Sequence, residues 1–162
     1  MFDSRGLLPQ DKTISLAEFE ESFFVKGDKS YPSWNMQHRK KLARNFVSLA
    51  KILIDFGVNK VLVDGSFVTS KFEPNDIDAC YSIAMSEFIR LVTLYPIFDM
   101  SRKVGKKPAM WAQHKIELFP DFGQAAMVDS QGNGIPFPSF FRITRDGQQK
   151  GLLIIELGDH HD

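Results

Sequence analysis

Two aspartates separated by one residue, Asp76 and Asp78, give the strongest chemical signal in the sequence. Nine residues separate them from a Gly65-Ser66 pair that lies at the end of an apolar run. In a β-strand, residues i and i+2 project from the same face, so the two carboxylates would stand side by side. Adjacent anions repel each other, and a bound divalent cation turns that repulsion into affinity. The pattern suits transfer from a nucleoside triphosphate assisted by Mg²⁺ or Mn²⁺, because such hard cations prefer carboxylate oxygens.

A third acidic ligand is expected from a neighbouring strand, and Glu117 is the candidate because it lies between the apolar residues Ile116 and Leu118. Its predicted role is to complete the cation site and to receive or help remove the proton of the attacking hydroxyl. Asp121 is the reserve candidate. The alternative is that Glu117 faces solvent on a half-exposed strand, since alternation alone also predicts that arrangement.

The Gly65-Ser66 turn has a separate predicted role in phosphate binding. Glycine lets the backbone approach a phosphate without a Cβ clash, and the Ser66 hydroxyl and nearby amides can donate to phosphate oxygens. Lys71 would add positive charge. The alternatives are an ordinary loop for the Gly-Ser pair, a solvated strand end for the two aspartates and a surface position for the lysine.

The basic residues form two further clusters, at residues 38–41 with Arg44 and at residues 102–107. Either cluster could contact nucleic acid, a triphosphate or an acidic partner, but a solvated surface is favoured because Lys+Arg and Asp+Glu are balanced at 20 each. The single Cys80 is interpreted as a free core cysteine. We find no leader sequence and no apolar run long enough for a bilayer, which predicts a cytoplasmic protein without a membrane partner.

These residues need a framework, and the 162 residues, 43% hydrophobic, predict one domain with its own core. Ser15 and Glu18 have the spacing of a capping box, and Asp146-Gly147 is a hairpin signal. Helices are predicted over residues 15–24, 35–56 and 86–98, a turn or short helix over 66–71, and strands over 60–64, 76–83, 113–119, 137–144 and 151–157. The predicted fold class is α+β, a mixed β-sheet covered by helices.

The segment 63–78 resembles the signature of the DNA polymerase beta-like nucleotidyltransferase superfamily, which runs Gly-Ser, a spacer and then Asp-x-Asp. Within it, the chain is similar to a family of short bacterial and phage nucleotidyltransferase-like proteins. The shared features are Gly6-Leu7-Leu8-Pro9, the Gly-Ser-Phe-Val-Thr turn, an acidic residue before Phe119-Pro120, and Asp146-Gly147 before Lys150-Gly151.

The resemblance implies a nucleotidyltransferase-like fold in which a mixed sheet holds three acids and two metal ions and the Gly-Ser turn holds the triphosphate. Asp76 and Asp78 would be the metal-binding pair, and Glu117 would occupy a position where relatives usually have Asp. Residues 1–162 are then a single minimal domain with a short N-terminal helical extension and a C-terminal β-hairpin. Without a large C-terminal helical domain, recognition would come from Phe-rich loops, the loop after Phe98 or another subunit, as in a homodimer.

The predicted function is metal-dependent transfer of a nucleoside monophosphate from a nucleoside triphosphate to a hydroxyl of a protein, RNA or small molecule, with release of pyrophosphate. By analogy with small members of the superfamily, the setting could be a toxin-antitoxin or phage-defence pair. The alternative is a catalytically inactive binding module of the same fold, acting as an antitoxin-like partner protein.

Overall fold

The computed structural model describes residues 1–27, 34–123, 125–136, 138 and 141–158. In this part of the chain the strands are β1 (Lys12–Ser15), β2 (Lys60–Asp64), β3 (Ile77–Ser82), β4 (Lys103–Val104), β5 (Lys107–Pro108), β6 (Ile116–Asp121), β7 (Ala125–Val128), β8 (Gly134–Pro136) and β9 (Leu153–Glu156). The α-helices are α1 (Leu16–Phe19), α2 (Phe23–Lys26), α3 (Met36–Ile54), α4 (Met85–Leu94) and α5 (Ala109–His114), with 3-10 helices at Ser66–Val68 and Pro96–Phe98.

The fold is mixed α+β, as predicted, and its main sheet has five strands in the order β1-β9-β2-β3-β6. Strand β2 has the predicted bounds and pairs antiparallel with both β3 and β9, whereas β3 pairs parallel with β6. Val61 and Val63 of β2 are fully buried, as is Ile77 at the start of β3. The predicted adjacency of β2 and β3 is therefore confirmed.

The long helix α3 confirms the prediction over residues 35–56, although it ends at Ile54. Asn35 caps it by accepting a hydrogen bond from the His38 amide. Its buried apolar residues repeat at helical spacing and share one core with β2, β3 and β6. After the helix the chain turns through Gly57, whose φ of 80° favours glycine.

The N-terminal region differs from the helix predicted over residues 15–24. The capping box is present, with Ser15 and Glu18 exchanging hydrogen bonds. However, the helix is interrupted between α1 and α2, where the Ser22 hydroxyl donates to the Phe19 carbonyl and Ser22 is the N-cap residue of α2. The prediction also missed β1, which pairs parallel with β9.

The prediction of a strand over residues 113–119 was correct only from Ile116 onwards. Residues 113 and 114 belong to α5, and Lys115 ends that helix in the left-handed region with a φ of 57°. Strand β6 continues through Pro120 to Asp121, because it is an edge strand and an edge tolerates a residue without an amide proton. Similarly, α4 ends at Leu94 rather than at residue 98, since Pro96 begins a 3-10 helix.

The region before β9 also differs from the prediction. Residues 137, 139 and 140 lie outside the described residues, and residues 141–144 form no strand but make one isolated bridge, between Ile143 and Gln149. The Asp146-Gly147 turn is closed by a hydrogen bond from the Thr144 amide to the Gln148 carbonyl. The sequence predicted a hairpin between residues 137–144 and 151–157. Strand β9, from the second of these segments, pairs instead with β1 and β2.

An N-terminal arm, residues 3–11, connects two distant segments. The Ser70 amide donates to the Gly6 carbonyl, and Leu7 forms an isolated bridge with Thr69. On the other side, the Gly151 amide donates to the Leu8 carbonyl. The arm thus holds the loop after β2 and the segment before β9 in a fixed relation. None of the helices in the described ranges is long and apolar enough to cross a lipid bilayer.

Candidate metal and nucleotide site

The three predicted acids lie together at one end of the sheet. Asp78 in β3 is aligned with Asp64 of β2 on one side and with Glu117 of β6 on the other, and Asp76 comes directly before β3. Each of Asp76, Asp78 and Glu117 places a carboxylate oxygen within 4.8 Å of the others. We call these three residues the acidic cluster. The reserve candidate, Asp121, is aligned with Ser82 further along β6 and is not part of the cluster.

The electrostatics of the acidic cluster are unfavourable in the absence of a cation. Burial, and after it the negative charges of Asp76, Glu117 and Asp64, together raise the pKa of Asp78 to about 7, while Lys107 partly opposes them. Three hard oxygen donors held this close, one of them resisting ionisation, match what Mg²⁺ or Mn²⁺ requires. The donor set therefore fits a divalent cation.

Two side chains from the α5 region orient the acidic cluster, and sequence analysis missed both roles. The Trp111 indole N–H donates to Asp76 Oδ2 at 2.8 Å, and Lys107 Nζ donates to Glu117 Oε1 at 3.2 Å. Lys115 Nζ lies 3.4 Å from the centre of the Trp111 ring. Lys107 was interpreted as part of a solvated cluster. A half-buried tryptophan needs an acceptor for its indole N–H. This need is the sequence signal that could have linked Trp111 to an acidic residue.

The Gly65-Ser66 turn lies directly beside the acidic cluster. Gly65 has φ 83° and ψ −170°, a conformation that essentially only glycine adopts. A Cβ at this position would lie 2.8 Å from Asp78 Oδ2. Two features of the structure therefore require glycine here, the backbone conformation and the close approach of Asp78. The sequence analysis expected a different reason, access for a phosphate.

A cavity of about 1350 Å³ opens over this end of the sheet. Its lining includes the acidic cluster, Gly65, Ser66 and Lys71, so all six predicted site residues share one space. The Lys71 side chain is exposed. The opposite wall comes from the segment before β9, which contributes Phe141, Ile143, Arg145 and Lys150. A typical small-molecule site occupies about 300–1,000 Å³, so the volume is sufficient for two substrates.

Cys80 takes no part in this site. It is buried in β3, packed in a small apolar cluster with Phe141 and Leu152. Burial raises the pKa of its thiol to about 12, so the thiol is neutral near pH 7. The prediction of a free core cysteine is confirmed.

A second charged contact in the cavity wall joins Asp64 and Lys150, whose side chains are only 13% and 10% exposed. Burial raises the pKa of Asp64 despite the opposing attraction of Lys150. The ion pair ties the end of β2 to the segment before β9. Sequence analysis assigned no role to this contact, because the two residues are far apart in the chain.

Lys150→Met is expected to lower the free energy of unfolding at pH 8 by about 3 kcal/mol, because it leaves the Asp64 carboxylate buried without a cationic partner. Urea unfolding measures the change. Arg44→Met is the matched control, since Arg44 and its partner Glu20 are exposed and such pairs contribute less than about 1 kcal/mol. Equal losses in the two variants would contradict a buried, stabilising role for Lys150.

Comparison with known proteins adds a family but no activity. Neither a curated protein nor a solved structure matches the chain. Residues 1–156 match the Family of unknown function (DUF6932), which is nearly the full length, and the chain therefore belongs to that family.

Proposed function

We propose that this protein is a metal-dependent nucleotidyltransferase with a nucleotidyltransferase-like fold. The observation that carries the proposal is the acidic cluster: carboxylates from two adjacent strands and from the residue just before one of them meet within 4.8 Å, beside a glycine turn that lines the same cavity. Structural acids are usually solvated or paired with cationic side chains. A strongly raised pKa at the wall of a large cavity, such as that of Asp78, is instead typical of a functional site.

Asp76, Asp78 and Glu117 would hold the divalent cations. When bound, Mg²⁺ or Mn²⁺ neutralises the triphosphate and favours ionisation of the attacking hydroxyl. Trp111 fixes one oxygen of Asp76, and Lys107 fixes one oxygen of Glu117, so two of the three ligands are orientated in advance.

The turn after β2 would bind the phosphates. The amides of Ser66 and Phe67 precede the first hydrogen bond of the 3-10 helix, which the Val68 amide makes to the Gly65 carbonyl. Such N-terminal amides are donors for an anion, and the Ser66 hydroxyl adds another. Lys71, exposed on the same cavity, would pair with the phosphate chain.

In the proposed reaction, the acceptor oxygen forms a bond to the α-phosphorus while the bond from that phosphorus to the oxygen bridging to the β-phosphate breaks. Pyrophosphate takes the electron pair of the broken bond and leaves. The hydroxyl proton passes to a carboxylate oxygen of Glu117. Burial of Glu117 in β6 limits competition from bulk water for that proton.

The acceptor would be a hydroxyl of a protein, an RNA or a small molecule that enters along the wall formed by residues 141–150. This wall combines the apolar side chains of Phe141 and Ile143 with the cationic Arg145. A toxin-antitoxin or phage-defence partner remains a prediction of the resemblance, and a cytoplasmic setting remains a prediction of the sequence.

The proposal is tested by incubating the protein with each labelled nucleoside triphosphate, Mg²⁺ or Mn²⁺, and candidate protein and RNA acceptors. We expect label transfer and pyrophosphate release that are lost in Asp76→Ala/Asp78→Ala. Lys41→Met, on the exposed surface of α3, is the control and should behave like the wild type.

An inactive binding module gives a different result. It would show a nucleotide-dependent rise in melting temperature without any release of pyrophosphate. The absence of both responses in the presence of either metal would reject nucleotide binding altogether.

A further inference from the structure

Arg39 has an unusual environment for a residue of a basic cluster. The sequence suggested a solvated surface, yet the residue is 0% exposed. Its guanidinium lies 3.4 Å from the centre of the Trp34 ring and 5.1 Å from that of Phe67. None of its hydrogen-bond partners within the described residues is a carboxylate. Burial lowers the pKa of Arg39 to about 9, so the group still bears a proton near pH 7.

Four of the five guanidinium N–H groups donate to backbone carbonyls, whereas the buried Nε–H has no hydrogen-bond partner among the described residues. Nη1 donates to the Phe24 carbonyl at 2.9 Å and to the Phe67 carbonyl at 2.7 Å. Nη2 donates to the Thr69 carbonyl at 3.0 Å and to the Lys71 carbonyl at 2.6 Å. Three of these four carbonyls belong to the loop between β2 and β3, which we call the β2–β3 loop (residues 65–76).

The first turn of α3 contacts the rest of this loop. The Asn35 amide donates to the Phe72 carbonyl at 3.1 Å, and the His38 ring nitrogen Nε2 is 2.6 Å from the Pro74 carbonyl. Carbonyls of five residues between Gly65 and Asp76 are therefore held by one helix end. The loop has no regular secondary structure beyond its 3-10 turn, so its course depends on these contacts together with those that the N-terminal arm makes to Thr69 and Ser70.

An arginine is needed at the centre of this arrangement. Its planar fork offers five N–H donors in fixed directions, and four of them are used. A lysine has three donors on a single nitrogen, so it cannot reach all four carbonyls at once. An apolar residue would leave every one of them without its donor.

We propose that Arg39 is a positioning residue for the β2–β3 loop, holding Gly65, Ser66 and Lys71 where a triphosphate would meet them beside the acidic cluster. The claim about phosphate rests on the proposed function, whereas the claim about the loop does not. The role is distinct from catalysis, because Arg39 is enclosed by the core and does not line the cavity.

The first test uses hydrogen exchange without metal or nucleotide. In Arg39→Lys, the amides of Val68, Thr69 and Ser70 should exchange about tenfold faster or more, because at least one charge-assisted hydrogen bond to the loop is lost. Exchange within β2 and β3, which reports global unfolding, should accelerate less than that of the loop amides, and Lys41→Met on the exposed surface of the same helix should match the wild type. Unchanged exchange of the loop amides in Arg39→Lys would overturn the proposal.

A second measurement needs no variant, in case Arg39→Lys does not fold. In the wild-type protein, the same three amides should exchange no faster than the amides of β2, that is, only through global unfolding. Exchange through a low-energy local opening would show that the loop is not held and would overturn the proposal equally.

The third measurement addresses phosphate. The dissociation constant of tripolyphosphate with Mg²⁺ should rise about tenfold in Arg39→Lys, while that of Mn²⁺ alone should change less than about twofold, because the acidic cluster is not in contact with Arg39. Equal weakening of both would mean general loosening and would overturn the positioning role. If the wild type binds neither probe, the proposed function fails, and the exchange data still decide the role of Arg39.

Discussion

Asp78→Asn is expected to abolish nucleotidyl transfer and, without metal at pH 8, to make the protein more stable. The amide keeps the shape of the side chain but removes one of three clustered negative charges, and the bound cation contributes several kcal/mol to the transition state. The loss of activity should therefore be at least about 10³-fold. Relief of burial and repulsion should raise the free energy of unfolding by about 1–3 kcal/mol.

The pH dependence of this gain follows from the direction of the pKa shift. The carboxyl of Asp78 has its pKa raised from 3.8 to about 7, so the folded protein holds this proton more tightly than the unfolded chain. Stability from this group is complete below about pH 4 and is lost as the pH rises to about 7. The advantage of Asp78→Asn should therefore be seen at pH 8 and disappear near pH 4. Urea unfolding with EDTA at both pH values measures it, and an asparagine variant less stable at pH 8 would contradict repulsion within the cluster.

Gly65→Ala is expected to impair both stability and nucleotide binding. The alanine must adopt a positive φ, and its Cβ would meet the Asp78 carboxylate at 2.8 Å, so either the turn or the carboxylate must move. We expect a loss of about 1–3 kcal/mol in the free energy of unfolding. We also expect the thermal shift produced by nucleoside triphosphate with Mg²⁺ to disappear, because the turn and the acidic cluster can no longer be adjacent.

The matched control for this variant is Gly57→Ala. Gly57 also has a positive φ, of 80°, but a Cβ there would meet no atom of the described residues within 4 Å. Its free energy of unfolding should fall by only about 1 kcal/mol, the cost of placing alanine at a positive φ. The thermal shift produced by nucleoside triphosphate with Mg²⁺ should be unchanged. If the two variants respond equally to nucleotide, the contact between Gly65 and Asp78 has no functional importance.

Local patterns in the sequence predicted the centre of the fold and the position of the site. Strand β2 was predicted because its apolar residues are bounded by Gly57 and Gly65, and the Asp-x-Asp spacing gave two acids on one face. Glu117 was found because a single acid between two apolar residues is conspicuous in a strand. Parallel pairing of β3 with β6 then aligns it with Asp78.

The features that were missed depend on contacts between distant segments. Strand β1 is only four residues long, and its partner β9 lies at the other end of the described chain. Arg39 was assigned to the surface because charge usually indicates exposure, and no pattern reveals that backbone carbonyls surround it. Trp111 and Lys107 reach the acids from the segment after Phe98, where the sequence analysis interpreted Lys107 as part of a solvated cluster and assigned no element to Trp111.

The position of β9 has a consequence for folding kinetics. It lies between β1 and β2, so Lys12 pairs with Leu153, and β1 has no direct pairing with β2. Strands β2, β3 and β6 can associate early, but the sheet is complete only when the last strand inserts between two much earlier segments. Such a high contact order makes folding slow, since the entropy of closing a long loop must be overcome first. During synthesis on the ribosome, the edge of β2 would therefore stay open until β9 has emerged.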